Sequence, residues 1–470
     1  MTSSNLAPTP SEESIQFDRF EIFSNENSGQ SIDLRGGAPS LEYRESVFMP
    51  YVDISAGIID TGEVIDADDG SGSSINLLES IKCQGTEKIK FKIRDYRGGT
   101  IDLTRNDDLR VSRTSNIKQG SKNVSFVLES VSKTAFENTL LENRCIGKFD
   151  GKISDIAEEI ITDNLKSAKT PDIDVTYNTF HMQGEARYPL EVLTELQRLS
   201  IPIYYNAPGK MAGYLCWLTS TGFKFKSLVW LFSQTGKTIK RYIDNKQAHD
   251  RLPPGFDGKI LDSTINRTTD ALSQFESGAY GTEISVFDHT TNTYTTSDPL
   301  ISADRGNGII AASTLPKVNP EFEDKVTVHY RAHAAKGQTF AAGDSLANQV
   351  EKFDDENLVV EQIYQQSYQN YRQKFNMSAE IIIAADLSLH AGDLVYCDFP
   401  EISNKATPVS SRKDSGIYMI ADLCHYANTT KSFTGLHLVR DSYGTPRSWS
   451  ATLNISYRGT NKLWQTSNTI

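Results

Sequence analysis

Polar and apolar residues alternate with period two from Ile15 to about Lys133, which predicts a run of strands. Thr86–Asp95 is the sharpest case: Ile89, Phe91 and Ile93 share one face, and Lys88, Lys90, Lys92 and Arg94 share the other. That is the signature of a half-buried antiparallel strand. Asn123–Ser130 repeats the pattern more weakly, and the Gly- and Asp-rich stretch 66–74 reads as a turn between strands. From Leu140 to about Phe232 the period lengthens. Ile153, Ile156, Ala157, Ile160 and Leu165 form one stripe of a helix over Lys152–Leu165. Asp155, Glu158 and Glu159 lie toward its start and Lys166 and Lys169 beyond its end, as the helix dipole favours. Pro189 opens a second helix carrying Leu190, Leu193, Leu196 and Leu199. Strands return at Tyr214–Leu218 and Phe223–Phe225, giving a small α+β domain, and Leu228–Phe232 also has the composition of a strand.

Residues 233–258 are polar, contain Pro253-Pro254-Gly255, and read as a linker or long loop. Phe275–Thr295 reads as strand, turn, strand, and Lys325–Arg331 alternates again. Val359–Tyr371 suggests a helix with a ragged stripe of Ile363, Tyr364, Tyr368 and Tyr371, followed by a strand over Phe375–Ile383. The most informative segment is Ala391–Ser442. Its three alternating runs start at Gly392-Asp393, Ser415-Gly416 and Phe433-Thr434, and apolar residues occupy both faces. Strands of that kind belong in a closed or covered sheet.

Composition narrows the possibilities. The 470 residues suit two to four domains. An apolar fraction of 38% favours several modest cores over one large one. No run of 18 apolar residues predicts a membrane-crossing helix, so no membrane insertion is expected. Residues 1–14 are rich in Ser, Thr, Pro and Glu, lack a signal-peptide pattern, and read as a disordered tail. Cys83, Cys145, Cys216, Cys397 and Cys424 are scattered without CxxC spacing, which predicts reduced thiols and a reducing cytoplasm. A net charge of -12 makes the chain a poor phosphate binder, though it suits a passage along which DNA slides.

The candidate chemistry is weak. Asp66-x-Asp68-Asp69-Gly70 lacks the ligands and glycine of a calcium loop at the required positions. His329 and His333 sit on an alternating segment, where four residues span about 13 Å, too far for one ion. Thr235-Gly236-Lys237-Thr238 has Leu231 where a phosphate loop needs Gly. No Gly-x-Ser-x-Gly elbow is present, and nothing singles out a pair of carboxylates for sugar cleavage. The Lys88–Arg94 ladder reads as a solvated face or a contact for an acidic neighbour. No catalytic, cofactor-binding or metal-binding residue is expected.

Three segments nevertheless resemble one family. Gly392-Asp393 with Pro400, then Gly416 and Tyr418, then Thr434–Asp441 with Leu438, Arg440 and Asp441, resemble a tube domain of baseplate hub proteins of contractile-tailed bacteriophages. That family is related to the phage late control protein D and to the trunk of type VI secretion spikes. Gly29–Gly37 with Asp33 and Arg35, running on to Asp60 and Gly62, resembles the first tube domain. Gly213–Leu228 with Gly222 and Phe223 resembles the middle domain. The matches lie in order over roughly residues 15 to 443.

The resemblance implies a β-rich α+β fold with two antiparallel β-barrel-like tube domains joined by small α+β domains. The implied division is a first barrel at 15–133 and an α+β middle domain at 134–261. A second barrel follows from 262–300 plus 376–443, with an inserted segment at 301–375 and an extension at 444–470. The family's role is structural, in a homotrimeric ring between a tail tube or distal tube protein and a central spike. Baseplate wedge proteins surround the ring, and genomic DNA passes through its lumen. It resides in the virion tail and is assembled in the bacterial host cytoplasm. The competing readings are a tail-associated glycan or cell-wall hydrolase and the trunk module of a phage-like secretion machine.

Overall fold

The computed structural model describes residues 15–26, 31–61, 77, 81, 83–105, 109–203, 212–234, 239–244, 258–266, 271–288, 292–298, 300–301, 318–322, 325–334, 360–375, 377–401, 411, 413–429, 431–442, 453–455 and 464–465. Gly62, the 66–74 turn, Thr235–Thr238, residues 1–14 and most of 444–470 lie outside the described residues. The fold is β-rich α+β.

The N-terminal unit holds β1 (Gln16–Phe23), β2 (Ser31–Asp33), β3 (Ser40–Ser46), β4 (Asp53–Asp60), β5 (Lys88–Arg94), β6 (Thr100–Leu103), β7 (Leu109–Gln119) and β8 (Val124–Ser132). Its order is β2-β1-β5-β7-β8-β4-β3, with β6 on β5. The alternation works as expected: Ile89, Phe91 and Ile93 are buried, with Phe91 edge-on to Phe20 at 5.6 Å. The opposite face of β5 is covered by its own chain. Lys92 pairs with Asp102 at 3.3 Å, Arg94 with Asp18 at 3.2 Å, and Lys90 sits 5.2 Å from the Phe23 ring. The sheet curls until the turn at Arg35–Gly37 reaches β4, where a Cβ on Gly37 would stand 2.9 Å from the Ile59 carbonyl oxygen.

The middle region contains α1 (Lys133–Glu137), β9 (Lys148–Lys152), α2 (Ile153–Glu159), β10 (Asp172–Ile173), β11 (Thr179–Gln183), α3 (Pro189–Leu199), β12 (Tyr214–Thr219), β13 (Gly222–Ser227) and α4 (Leu228–Ser233). The expected first helix is present and changes from α over Ile153–Glu159 to π over Ile160–Asn164, which keeps Ile160 and Ile161 buried. Leu228–Ser233 is a helix, not a strand. The Ser227 hydroxyl caps it by accepting from the Trp230 amide at 3.1 Å, and buried Leu228, Leu231 and Phe232 fix it to the core.

The C-terminal part contains β14 (Ile239–Asp244), β15 (Lys259–Asn266), α5 (Ala271–Glu276), β16 (Gly281–Asp288), β17 (Thr293–Thr296), β18 (Leu300–Ile301) and β19 (Val328–Ala334). It continues with α6 (Val360–Lys374), β20 (Met377–Ala384), β21 (Leu394–Asp398), β22 (Gly416–Asn428), β23 (Ser432–Arg440), β24 (Leu453–Ile455) and β25 (Trp464–Gln465). Six of these close on themselves in the order β14-β21-β22-β23-β20-β15-β14. The circuit closes where β14 and β15 pair at Ile243–Lys259 and Asp244–Ile260.

Two expected boundaries differ from the structure. The polar stretch expected to be a linker contains β14, a barrel strand. Its charges hid it: Lys240, Arg241 and Asp244 are answered by Asp386, Asp398 and Ser263, all remote or outside the run. Residues 281–300, expected in the second barrel, instead form a separate sheet. There β16 pairs with β17, β18 and β19. Gln365 of α6 holds this sheet by donating to the Thr282 and Asp298 carbonyls at 2.6 and 2.9 Å. The two β units are also joined directly. β3 pairs with β22 over Ser40–Ser46, so a single sheet runs through both.

Candidate functional site

The direct joint creates a wall of eight strands, β7-β8-β4-β3-β22-β23-β20-β15. Every neighbouring pair in it is antiparallel. The first four strands come from the N-terminal unit and the last four from the C-terminal barrel. Period-two alternation gives the wall two different faces. Leu128, Ala56, Tyr43, Leu423, Leu436 and Ile381 point into the cores and are buried. Glu129, Asp53, Glu42, Arg44, Asp422, His437, Glu380 and Asp262 lie on the open face.

A groove of about 470 Å³ crosses the open face at the joint, lined by Arg44, Tyr51, Asp53, Asp262, Glu380, Ile382, Asp422 and His437. Acids outnumber bases in it. Arg44 is engaged by Glu42 and by Asp53 at 3.4 Å. His437 Nδ1 lies 2.7 Å from Asp422, whose hydrogen bond raises the imidazole pKa against the opposing effect of burial.

Behind the joint, three carboxylates clamp the 386–391 loop. Glu45 is buried, and burial opposes its charge. Even so, its pKa is lowered, because His390 Nδ1 sits 3.3 Å away and Tyr43 OH donates at 2.6 Å. The Ser220 and Ala391 amides add bonds of 2.9 and 3.1 Å. Asp386, also fully buried, receives Lys240 at 2.6 Å, Arg97 at 3.1 Å and the Tyr242 hydroxyl at 3.0 Å. Burial again opposes charge, but Lys240 and Arg97 hold this carboxyl far below the usual carboxylate range. Asp95 accepts from the Leu387 amide at 2.7 Å. These contacts bind the N-terminal unit, the β12–β13 turn and the barrel into one body.

The thirteen motif residues do not converge on one site. Asp33 and Arg35 form an exposed forked ion pair at 2.6 Å beside β2. Asp60 is buried at the end of β4 and accepts from the Leu77 amide, while Gly62 lies outside the described residues. Gly222 turns the β12–β13 hairpin and Phe223 follows it into the core. Gly392 lies against Trp217, and the Asp393 carboxylate accepts from the His390 amide at 3.0 Å. Tyr418 and Arg440 do meet, while Gly416 pairs with Cys397 at the start of β22. The buried Arg440 guanidinium is 4.6 Å from the Tyr418 ring and donates to the Ser415 and Lys413 carbonyls. Tyr418 OH donates to the Asp414 carbonyl at 2.6 Å. Leu438 is in the core, and Asp441 pairs with Lys374 at 3.2 Å. Apart from the exposed Asp33–Arg35 pair, these described positions hold backbone or core.

Sequence reasoning missed Asp95, Arg97, Asp386 and His390. The available signal was Asp386 inside the apolar run Ala384-Ala385-Asp386-Leu387, where an acid must be paired to be buried. His329 and His333 lie on strand β19, as expected for a pair that cannot share an ion. Among the described residues no cluster of three or more His, Cys, Asp or Glu could hold a metal. The five cysteines are free thiols, with Cys145, Cys216 and Cys397 buried.

No protein-family model and no curated protein matches the chain. Among solved structures it is similar to the 43 kDa tail protein of prophage MuSo2 from Shewanella oneidensis, at 10% identity and a TM-score of 0.47 over 90% of this chain and 98% of that one. It is also similar to a tail protein from Neisseria meningitidis MC58, at 8% identity and a TM-score of 0.47 over 90% and 96% of the two chains. A third is an Escherichia coli type VI secretion component with structural similarity to two T4 bacteriophage tail proteins, at 6% identity and a TM-score of 0.39 over 92% and 78%.

Proposed function

We propose that this chain is a structural hub subunit in the baseplate of a contractile phage tail, three copies forming a pseudo-sixfold ring. One observation carries the reading: each of its two β units contributes four antiparallel strands to one shared wall. Three copies then offer six four-stranded segments to a sixfold tail tube, and three chains to a threefold spike. The family resemblance of the three sequence segments supports the same role.

In this ring the cores and the α+β region face outward, toward baseplate wedge proteins, and the open face of the wall lines the lumen. A tail tube or distal tube protein stacks above, and the central spike docks below. Asp53, Asp422, Glu380 and Asp262 give the lumen an acidic surface that does not hold phosphate, so the genome passes without specific binding. The task is architectural, and no bond is made or broken. The protein is assembled in the host cytoplasm and resides in the virion tail.

Imaging of the assembled tail tests this. Three copies around the axis, each supplying two similar β units, is the expected result. Six copies supplying one unit each, or a location on fibres or along the tube, overturns it. Catalytic turnover of cell-wall glycan by the purified chain would favour a tail hydrolase instead.

A further inference from the structure

The groove at the joint is built on two adjacent cross-strand rows. The first runs Asp53, Arg44, Cys424, Gly435, Ile382 and Asp262, one residue from each of β4, β3, β22, β23, β20 and β15. The second sets His437 between Asp422 and Glu380. The first row is charged toward both ends and uncharged in the middle, where Gly435 is its low point. Glycine in a strand interior weakens the strand and often marks close approach by another group. Nothing inside the fold requires glycine here. Gly435 is not among the residues of positive φ, and a Cβ on it would meet only the Cys424 carbonyl oxygen, at 3.8 Å. The open face is thus notched at 435, and the half-exposed Ile382 side chain walls the notch on one side.

We infer that this groove binds a linear polyamine, its ammonium groups on Asp422, Glu380 and Asp262 and its methylene chain over Gly435 and Ile382. The inference goes beyond the architectural role and does not depend on it. The groove's own cations are already engaged: Arg44 by Glu42 and Asp53, His437 by Asp422. Asp262 and Glu380 have no ion-pair partner among the described residues. Negative charge is in excess at the far end as well. Burial raises the Asp53 pKa against the pull of Arg44, and Glu42 and Glu129 push it the same way. A single ion does not fit, because among the described residues no three such ligands converge on one point. Asp422 and Asp262 stand three strand spacings apart, about 14 Å, with Glu380 between them. A chain carrying ammonium groups a few bonds apart serves all three, and its methylenes gain from lying on the apolar middle of the row. The groove's volume of about 470 Å³ is that of a small-molecule site.

The test is calorimetric titration of the purified chain with spermidine at fixed ionic strength. Saturable one-to-one binding is expected, and Mg²⁺ at the same ionic strength should not displace it. Gly435→Val fills the notch, and Glu380→Gln with Asp262→Asn removes two carboxylates; each change is expected to weaken binding about tenfold or more. Glu142→Gln alters an exposed acid of the middle region and should leave affinity unchanged. If Gly435→Val fails to fold in a thermal melt, the carboxylate variant decides alone. Trilysine with blocked ends carries the same charge as spermidine and separates a free amine from the lysines of a protein partner: tighter binding of the peptide overturns the polyamine site. No saturable binding, displacement by Mg²⁺, or equal affinity of wild type and the carboxylate variant overturns it too. None of these results bears on the hub role, which imaging of the tail tests separately.

Discussion

Trp217 and Gly392 lock the β12 strand to the start of β21: the indole Nε1 donates to the Ala391 carbonyl at 3.0 Å, and the ring occupies the space where a side chain at 392 would go. Gly392 has φ +92°, and a Cβ there would stand 2.5 Å from Trp217 Cζ2. Gly392→Ala is therefore strained by both backbone and contact, and should cost about 2–5 kcal/mol in a denaturant melt. Gly36→Ala, with nothing within 4 Å of its Cβ, should change stability by less than about 0.5 kcal/mol. Equal tolerance of the two would show that the indole does not occupy that position.

The two faces of β5 should respond unequally. Phe91 is fully buried against Phe20, so Phe91→Ala should cost about 3–5 kcal/mol. Lys90 lies over the Phe23 ring, and Lys90→Ser should cost at most about 1 kcal/mol. Thermal melts of both variants check the assignment of faces.

Asp386→Asn should be more damaging than its small change in shape suggests. It removes the charge that neutralises Arg97 and Lys240 at the joint, and breaking a buried pair costs about 3–5 kcal/mol. Denaturant titration of the variant at neutral pH measures it. A loss near zero would mean that the two cations find other partners.

Acid should weaken the joint between the two β units through His425. This imidazole is fully buried, stacks on Tyr43 at 5.9 Å, and is pushed down to about 4 by burial. Its folded pKa lies below the unfolded value, so unfolded chains take up more protons between the two. The stability it contributes is full above about pH 6.5 and is lost as pH falls toward 4, amounting to about 3 kcal/mol. Raised His390 behaves oppositely: its contribution is present in acid and lost as pH rises through its folded pKa. Comparing the pH–stability curves of wild type and His425→Gln isolates the first term, and identical slopes between pH 6.5 and 4 would refute it.

Much of the β framework could be read from the sequence because alternation reports burial directly. β5, β8, β12, β20, β22 and β23 lie where the period-two runs put them. What alternation could not reveal was pairing. β14 reads as a polar loop because Lys240 and Arg241 find their acids more than a hundred residues later. The same limit hid the clamp, since Glu45, Asp95 and Asp386 gain meaning only when the chain brings His390, Leu387 and Arg97 to them. β16 carries a good strand pattern, but a local pattern cannot say which sheet receives the strand. The motif residues were visible as glycines, aromatics and charges, yet the long-range meeting of Tyr418 with Arg440 was not.

The pairing of β3 with β22 also sets a schedule. Ser46 has to wait for Asp422 before the N-terminal unit gains its last neighbour. At ordinary ribosome speeds that interval is about 20–75 s. Throughout it the nascent chain carries an uncovered strand, Ser40–Ser46, beside a unit that is otherwise formed. Closing so long a loop is also entropically costly and slow. Truncated or stalled chains therefore expose an adhesive edge, and only a chain synthesised through β22 can hide it.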